Sequence, residues 1–421
     1  MTIPIRIAFM SILWAACAAF AAAPLPQTAP QDVGISPERL ARLTAVYQRA
    51  VDSGELPGAV IMIARDGKLA YAKALGWQDK ARNVAMKEDS IFRIYSMTKP
   101  VVSVAAMILV EEGLLGLHEP ISKYLPEFKD MKVGVEGTDA AGQPTFTRVD
   151  AKRQITVQDL LRHTSGLTYG AFVQRTAVQR LYKDAGLWSQ KWILEDFCKA
   201  LAKLPLQHEP GTTWEYGHST DVLGRVVEVV SGKPLDRFLA ERIFMPLGMN
   251  DTAFHVPAGK HARLAEPIPD KYTGTVPELI DVRQPATFFA GGHGLVSTAG
   301  DYLRFTQMLL NGGELDGVRI LGPRTVEYMA SNHLHEKIAK GTNYLPGPGY
   351  GFGLGFATRL EVGMSEWPGS VGEFFWGGYA GTYFWIDPEA NLAVTYMSQE
   401  PARRNHYRVL LRNTVYQAII Q

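Results

Sequence analysis

Hydrophobic and polar positions change their spacing twice along the chain, from a strand-like to a helical pattern and back again. Residues 59–65 and 68–75 are two largely apolar runs joined at Asp66-Gly67, which predicts a β-hairpin. Strands return after Gly349, and they are predicted over residues 351–357, 372–376, 381–386 and 393–398. Because strands occur near both ends of the chain, we expect one sheet built from both ends.

The stretch between these strands has apolar positions at helical spacing. Helices are predicted there over residues 155–162, 173–204, 220–231 and 235–243, and the polar residues 133–150 are expected to form an exposed excursion. Further helices are predicted over residues 36–53, 299–310, 323–330 and 403–420. The predicted fold class is α+β, an antiparallel sheet flanked by helices with an inserted, mostly helical domain. The sheet part would span about 32–115 and 287–421, and the helical part about 116–286.

The N-terminus has the pattern of a secretory signal peptide. Arg6 precedes an apolar stretch over residues 7–22, and Ala19-Phe20-Ala21 offers small residues for cleavage. The stretch is short for a membrane span, so a retained anchor is the weaker alternative. We expect residues 1–23 to be removed and residues 24–421 to form a periplasmic or secreted domain with no stable membrane insertion.

Composition narrows the classes of partner. Lys and Arg total 43 against 42 for Asp and Glu, and no long run of one sign occurs, so a nucleic-acid partner is not indicated. Beyond the signal peptide the only cysteine is Cys198, which excludes an internal disulfide in the mature chain. The ten histidines are scattered, and neither a metal nor a cofactor is expected. The pattern leaves the oligomeric state open.

The residues with the most distinctive chemistry are Ser96 and Lys99, a Ser-x-x-Lys pair followed by the apolar residues 101–115. This pattern predicts that the pair lies on the first turn of a buried helix, and side chains three apart share a helix face. A serine becomes a nucleophile when a neighbouring base takes its proton, and lysine can act as that base when it is neutral. An ordinary helix start has the same spacing, so the pair alone does not settle the function.

Two other stretches contain candidate site residues. Tyr216 lies in Trp-Glu-Tyr-Gly-His just before a predicted helix, where a loop tyrosine could present its hydroxyl to a cleft. The second stretch, between two predicted strands, is Trp376-Gly377-Gly378-Tyr379. Adjacent glycines let the backbone approach a ligand closely, and such an edge can offer an N–H to a developing oxyanion. A core tyrosine and a simple glycine bulge are the structural alternatives.

Together and in this order, the three stretches resemble the serine β-lactamase and penicillin-binding-protein superfamily, in particular its class C-like branch with the family VIII carboxylesterases. Supporting segments include LLRHTSGLTYG at 160–170 and GGHGLVSTAGDYLRF at 291–305. The resemblance implies that Ser96 is the acylated nucleophile and that Lys99 and Tyr216 share the proton transfers. It also implies an oxyanion hole made by the backbone N–H groups of Ser96 and Tyr379.

The sequence departs from the β-lactamase pattern at two of these positions. His218 stands where Asn is usual, and Trp376 stands where a lysine would help hold a substrate carboxylate. With Gly377 and Gly378, both are counted as substrate-binding candidates. An indole cannot pair with a carboxylate, so the change favours uncharged acyl substrates, unless another cation such as Arg359 reaches the site.

The leading interpretation is a serine carboxylesterase that acts on a small-molecule ester or amide through an acyl-enzyme. A β-lactamase or D,D-peptidase is the nearest alternative, and an acyltransferase would need no new catalytic residue. A non-catalytic binder of cell-wall peptides is an alternative of another class. Intact Ser96, Lys99 and Tyr216 argue against it, because a binder need not keep all three.

Overall fold

In the computed structural model, which describes residues 24–170 and 175–421, the chain is built on an eight-stranded sheet. The strands are β1 (Gly58–Arg65), β2 (Lys68–Asp79), β3 (Val84–Ala85), β4 (Tyr350–Phe352), β5 (Ala357–Arg359), β6 (Phe374–Gly377), β7 (Tyr383–Asp387) and β8 (Leu392–Ser398). Their order across the sheet is β4-β5-β6-β7-β8-β1-β2-β3, and every neighbouring pair is antiparallel.

The two ends of the chain meet in the middle of this sheet, where β1 pairs with β8 from Ala59 opposite Ser398 to Arg65 opposite Leu392. Apart from Arg65, every residue of β1 is buried, which explains why its sequence is a continuous apolar run instead of an alternating one. The predicted antiparallel sheet with contributions from both ends is confirmed.

Helices cover both faces of the sheet. They are α1 (Pro37–Asp52), α2 (Thr98–Glu111), α3 (Val157–Leu161), α4 (Ala177–Asp184), α5 (Leu194–Leu201), α6 (Ser219–Ser231), α7 (Leu235–Leu239), α8 (Met245–Leu247), α9 (Ala299–Leu310), α10 (Pro323–Ala330) and α11 (Arg404–Tyr416). Tyr396 of β8 packs on Tyr47 of α1, which in turn bonds the Tyr407 carbonyl of α11 at 2.7 Å. The adjacent Thr395 bonds the first residue of α9, and successive strand residues face opposite ways, so α9 covers the other face.

Between the strands, the chain forms a mostly helical region whose central contact is α2 against α6. Every residue of α2 from Thr98 to Leu109 is buried, as its uninterrupted apolar sequence predicts. Several helix ends also follow the sequence, because Ser36 caps α1 and Thr156 forms a capping box on α3.

Three predicted elements differ from the structure, and a fourth, the exposed excursion over 133–150, is confirmed as largely exposed. The polar residues 133–150 form an exposed hairpin, Lys132–Thr138 paired with Pro144–Asp150. The single helix predicted over 173–204 is instead α4 and α5, since Gly186 has a φ of +65° in the connection between them. The strand predicted over 351–357 is split into β4 and β5 at Gly355, whose φ is +102°. The helix predicted over 235–243 passes through a π-helical turn at Ala240–Phe244.

Smaller pairings complete the fold. Short strands pair Phe92–Arg93 with Val296–Ser297, Thr213–Trp214 with Ala339–Lys340, and Glu314–Leu315 with Val318–Arg319. No helix within 24–170 and 175–421 is long and apolar enough to cross a membrane. The signal-peptide prediction concerns residues 1–23, which lie outside the described residues, and it stays a prediction.

Candidate active site

Ser96 lies in a short 3-10 turn, Tyr95–Met97, that runs directly into α2. The sequence predicted that Ser96 lies in the first turn of the helix, and the structure places it one turn earlier. The turn is fixed on both sides, because the Tyr95 hydroxyl accepts the Ile280 N–H at 3.0 Å and the Thr98 hydroxyl accepts the Leu295 N–H at 3.1 Å. Tyr95 has a φ of +44°, an uncommon conformation for a non-glycine residue that places backbone strain beside Ser96.

Lys99 is buried, and its side-chain nitrogen has three oxygen neighbours. Nζ lies 2.7 Å from the Gly292 carbonyl oxygen, 3.1 Å from the Tyr169 hydroxyl and 3.5 Å from Ser96 Oγ. Ser96 and Lys99 therefore share one face, as their spacing predicts, and a proton can pass between them over one hydrogen bond.

Asp221 supplies a buried negative charge behind Lys99. Its carboxylate accepts the Gly292 N–H at 2.8 Å and the His218 Nδ1–H at 2.9 Å. Burial opposes this charge, but the hydrogen bond from His218 and the nearby positive groups outweigh it and lower the pKa of Asp221 to about 2. Gly292 thus connects the two charges, because its N–H faces Asp221 and its carbonyl faces Lys99. A Cβ on Gly292 would lie 2.9 Å from the carboxylate, so this contact needs glycine.

His218 does not take the substrate-contacting position that the sequence analysis assigned to it. It is buried behind Tyr169, with the two ring centroids 4.4 Å apart, and it lines neither of the cavities at Ser96. Burial is the main cause that lowers the pKa of His218, so the ring is neutral at neutral pH. Its Nδ1–H is used by Asp221, which makes it a support for that carboxylate.

Tyr216 and Trp376 form one unit beside Ser96. The Trp376 indole N–H donates to the Tyr216 hydroxyl at 3.4 Å, and the Tyr216 ring faces Lys99 Nζ at 4.7 Å from its centroid. Trp376 is thus a hydrogen-bond donor to Tyr216 as well as a residue of the cavity wall beside Ser96. The preceding residue, Glu215, is buried and accepts hydrogen bonds from three side chains, which anchors the loop. These donors are Thr168, Gln179 and Asn343.

The glycine pair after Trp376 lets the sheet edge touch the turn that carries Ser96. A Cβ on Gly378 would lie 2.3 Å from the Ile94 carbonyl oxygen, so only glycine permits this approach. A Cβ on Gly377 would lie 2.6 Å from the Arg408 guanidinium, which occupies that space. Tyr379 follows, with its ring 5.5 Å from that of Tyr95. The edge is therefore packed against the serine as well as being open to a ligand.

Two cavities meet at Ser96, and both also contact Tyr169 and Tyr379. The first, of about 230 Å³, is otherwise lined by Tyr216, Asn343, Leu345, Phe375, Trp376, Gly377, Gly378, Arg404 and Arg408. The second, of about 530 Å³, is otherwise lined by Tyr95, Trp188, Gln190, Glu278, Leu279, Ile280, Asp281 and His293. A substrate bound at Ser96 can therefore extend in two directions into surroundings of different chemistry.

Sequence reasoning missed several of these residues. Tyr169 lies inside a segment used only to support the family resemblance, and Asp221 lies three residues after His218, a spacing that places both on one turn of α6. Arg359 does not supply a cation here, because it is fully buried against Glu373 at 2.9 Å. The cations that do reach the first cavity come from the C-terminal helix, at Arg404 and Arg408.

Comparison with known proteins identifies the family of this chain. A family model described as beta-lactamase matches residues 43–415. Protein Rv1367c of Mycobacterium tuberculosis (strain ATCC 25618 / H37Rv) is 40% identical over 367 residues, which cover 84% of this chain and 88% of that protein. Esterase EstB of Burkholderia gladioli is 30% identical over 359 residues, which cover 79% and 85%. The solved structure of EstCE1, described as a hydrolase with promiscuous acyltransferase activity, has a TM-score of 0.76 and 29% identity over 90% of this chain and 98% of that one.

The fold and the relatives define a serine hydrolase, as the sequence predicted. The chain belongs to the beta-lactamase family, and its named relatives include an esterase. The resemblance found in the sequence is thereby confirmed.

Proposed function

We propose that the protein is a serine carboxylesterase in which Ser96 is the nucleophile and Lys99 and Tyr216 transfer its proton. The observation that carries the proposal is the position of Lys99 Nζ, 3.5 Å from Ser96 Oγ and held from behind by Gly292 at 2.7 Å. A buried amine in hydrogen-bond contact with a serine on a strained turn is the arrangement that nucleophilic catalysis needs.

Acylation begins with Lys99 in its neutral form, when Ser96 Oγ attacks the ester carbonyl carbon and its proton passes to the Lys99 amine. The carbonyl oxygen becomes an oxyanion beside the backbone of Ser96 and Tyr379, where N–H donors would stabilise it. When the tetrahedral intermediate collapses, the bond to the alcohol oxygen breaks, and that oxygen takes the proton through Tyr216. Water then attacks the acyl-enzyme, gives its proton to the same pair and releases the acid and free Ser96.

Trp376 makes this site more suitable for esters than for β-lactams. The position where β-lactam-recognising relatives place a lysine is Trp376, which is 4% exposed and uses its N–H on Tyr216. An indole offers apolar contact but no charge-assisted hydrogen bond to a carboxylate. Arg404 and Arg408 reach the same cavity and reduce this contrast, so the substrate preference must be measured.

Acyl transfer is a second candidate function. It uses the same acyl-enzyme, with an alcohol in place of water in the second step. The observations in its favour are the two separate cavities at Ser96, which could hold an acyl group and an acceptor at once, and the transferase activity named for EstCE1. Adding methanol to the ester assay would detect it as methyl ester in the products.

The nucleophile is tested with Ser96→Ala. We expect the variant to fold normally, to lose ester hydrolysis and to lose covalent labelling by a fluorophosphonate, because no other group replaces the attacking oxygen. Intact-mass and peptide mass spectrometry of the labelled wild-type protein should place the label on Ser96. A label on a different serine would rule out the assignment.

The substrate class is tested with p-nitrophenyl butyrate and nitrocefin. A lost carboxylate contact is worth about 1.5–3 kcal/mol, and apolar contacts with the acyl chain add to the difference. We therefore expect kcat/KM for p-nitrophenyl butyrate to be about a hundredfold higher than kcat/KM for nitrocefin. Trp376→Lys should lower kcat/KM for the ester and raise it for nitrocefin. Equal or faster turnover of nitrocefin by the wild-type protein would favour the β-lactamase alternative.

We also propose export, on the basis of Arg6 and the apolar residues 7–22. The exported protein should begin near residues 22–24. N-terminal sequencing that finds Met1 still attached to exported protein would contradict this.

A further inference from the structure

One side chain in the second cavity lacks the partners that a buried polar group needs. His293 is 6% exposed, and neither of its ring nitrogens has a hydrogen-bond partner among the described residues. Its ring is held between Trp188 and Phe288, at centroid distances of 5.4 and 6.0 Å. Buried polar atoms are nearly always paired, so an unpaired imidazole on a cavity wall indicates a partner that arrives with a ligand.

The imidazole can both donate and accept a hydrogen bond. Burial is the main cause that lowers the pKa of His293 to about 4, so at neutral pH one nitrogen carries a proton and the other does not. The nearest carboxylate, that of Asp221, lies 3.8 Å from Nδ1, beyond hydrogen-bond distance. A ligand group that also donates and accepts, such as a hydroxyl, is the best complement.

If the proposed function holds, the two halves of the ester can be assigned to the two cavities. Tyr216 lines the first cavity and not the second, and in the proposed mechanism it delivers the proton to the leaving alcohol. The alcohol therefore lies in the first cavity. The acyl chain, attached to the other side of the carbonyl carbon, extends into the second cavity towards His293.

His293 and Ser96 line the same cavity, so an acyl chain that extends from Ser96 into this cavity shares it with the imidazole. The preceding residue, Gly292, has its carbonyl oxygen 2.7 Å from Lys99 Nζ, which lies 3.5 Å from Ser96 Oγ. The backbone beside His293 is thus connected to the nucleophile through two hydrogen bonds. Trp188, Leu279 and Ile280 supply apolar contacts for the carbon atoms, and the acidic Glu278 and Asp281 disfavour a carboxylate on the acyl group.

From these observations we infer that the second cavity selects short acyl groups that carry a hydroxyl near the carbonyl carbon, and that His293 is the specificity-determining residue that binds this hydroxyl. The substrate class is then an ester of a hydroxy acid, such as a 3-hydroxybutyryl ester. A plain acyl chain of the same length would leave the imidazole unpaired and would react more slowly.

The test compares p-nitrophenyl 3-hydroxybutyrate with p-nitrophenyl butyrate, and the readout is the ratio of their kcat/KM values. We expect the wild-type protein to prefer the hydroxy ester by roughly tenfold, the value of one hydrogen bond that would otherwise be lost. In His293→Phe, which keeps the ring but removes both nitrogens, the ratio should fall to about one. His293→Gln, which restores a donor and an acceptor, should recover part of it.

A matched control is His335→Phe, the same exchange at an exposed histidine that lines neither cavity, and it should leave the ratio unchanged. A wild-type ratio near one would overturn the inference, and this measurement does not depend on any variant folding. An unchanged ratio in His293→Phe would also overturn it, as would an equal loss in His335→Phe. Failure of the proposed function gives a different result, since neither ester would then be hydrolysed.

Discussion

Two of the buried charge clusters among the described residues are built differently. In the first, Glu373 accepts hydrogen bonds from Arg359 at 2.9 Å and Arg412 at 2.5 Å, and all three side chains are fully buried. The hydroxyls of Tyr350 and Tyr416 also donate to Glu373, at 2.6 and 2.8 Å. Both carboxylate oxygens are used twice, so this cluster has little capacity left for a ligand.

The second cluster keeps its opposite charges apart. Lys99 and Asp221 are each hydrogen-bonded to Gly292 instead of to each other, and Lys99 turns its remaining N–H groups towards Ser96 and Tyr169. Two buried histidines beside it, His218 and His293, keep nitrogens without partners among the described residues. A buried charge can thus be neutralised by a directly paired opposite charge, which serves stability, or be kept apart from it, which leaves it available for chemistry. The hydrogen-bond partners of the charged groups distinguish these two arrangements.

The largest expected effect is on stability, in Glu373→Gln. The change leaves two buried guanidiniums without a carboxylate, and breaking such a pair costs about 3–5 kcal/mol. We expect that loss in the free energy of unfolding, measured by urea denaturation, with ester hydrolysis retained under conditions where the variant is folded. Loss of activity in the folded variant would mean that this cluster also serves the site.

The matched change in the second cluster is Asp221→Asn. An amide keeps an acceptor for the Gly292 N–H, so the stability loss should be smaller than in Glu373→Gln. Removing the negative charge changes the electrostatic field at Ser96 and Lys99, where charge moves during the reaction, so kcat/KM for ester hydrolysis should fall further than in folded Glu373→Gln. An equal kcat/KM in the wild type and in folded Asp221→Asn would show that the second cluster is structural too.

The next effect separates the two tyrosines around Lys99. Tyr169 is buried, and burial, with the negative charge of Asp221, raises its pKa well above the usual range, so its hydroxyl keeps its proton. Tyr169→Phe should reduce kcat/KM by less than about tenfold, the loss of one hydrogen bond. Tyr216→Phe should cost about a hundredfold or more, because it removes the group that protonates the alcohol. The reverse order would assign the proton transfer to Tyr169.

These comparisons also show what the sequence could predict. Ser96 and Lys99 are three residues apart on one helix start, so local spacing placed them together. The sheet order was within reach too, because apolar runs such as β1 and β8 at the two chain ends need each other for burial. Family resemblance then brought Tyr216 and Trp376 to the same place, although 160 residues separate them.

The remaining site residues could not be found that way. Asp221 and Gly292 meet through a contact across 71 residues that no periodicity encodes. Arg359 and Arg408 look equally available in the sequence, and only the packing shows that one is paired with Glu373 while the other lines a cavity. Whether a charge is neutralised depends on tertiary neighbours, which the sequence pattern does not contain.

A further prediction concerns acid stability and the buried histidines beside the second cluster, which have no counterpart in the first. Burial is the main cause that lowers the pKa of His293 to about 4, against about 6.5 in the unfolded chain. Between these values the unfolded state binds more protons, so stability falls as pH falls. From pH 7 to pH 5 we expect a loss of roughly 2 kcal/mol from this residue. The free energy of unfolding of His293→Gln, measured by urea denaturation, should therefore fall by roughly 2 kcal/mol less than that of the wild type between pH 7 and pH 5. An equal fall in the two proteins would contradict the prediction.

The last comparison extends to two arginines one turn apart on α11. Arg412 is neutralised by Glu373, whereas Arg408 has no carboxylate within ion-pair distance among the described residues and donates to the carbonyls of Gly378 and Thr382. Burial and the neighbouring Arg404 lower the pKa of Arg408 to about 10, which still leaves it charged at neutral pH. The first cavity therefore contains a cation that a substrate could use.

If the alcohol occupies the first cavity, an anionic alcohol should benefit from Arg408. We expect 4-carboxyphenyl butyrate to be hydrolysed faster than the neutral 4-carbamoylphenyl butyrate relative to their uncatalysed rates, and Arg408→Met to lower that ratio by about tenfold, near 1.4 kcal/mol. The ratio is the measurement because Arg408 also supports the Gly378 edge, and a general disturbance would slow both esters alike. Arg403→Met is the matched control, since Arg403 is already paired with Glu55 at 2.5 Å and lines neither cavity. An equal fall in that control, or none in Arg408→Met, would show that the unpaired cation is not used for substrate binding.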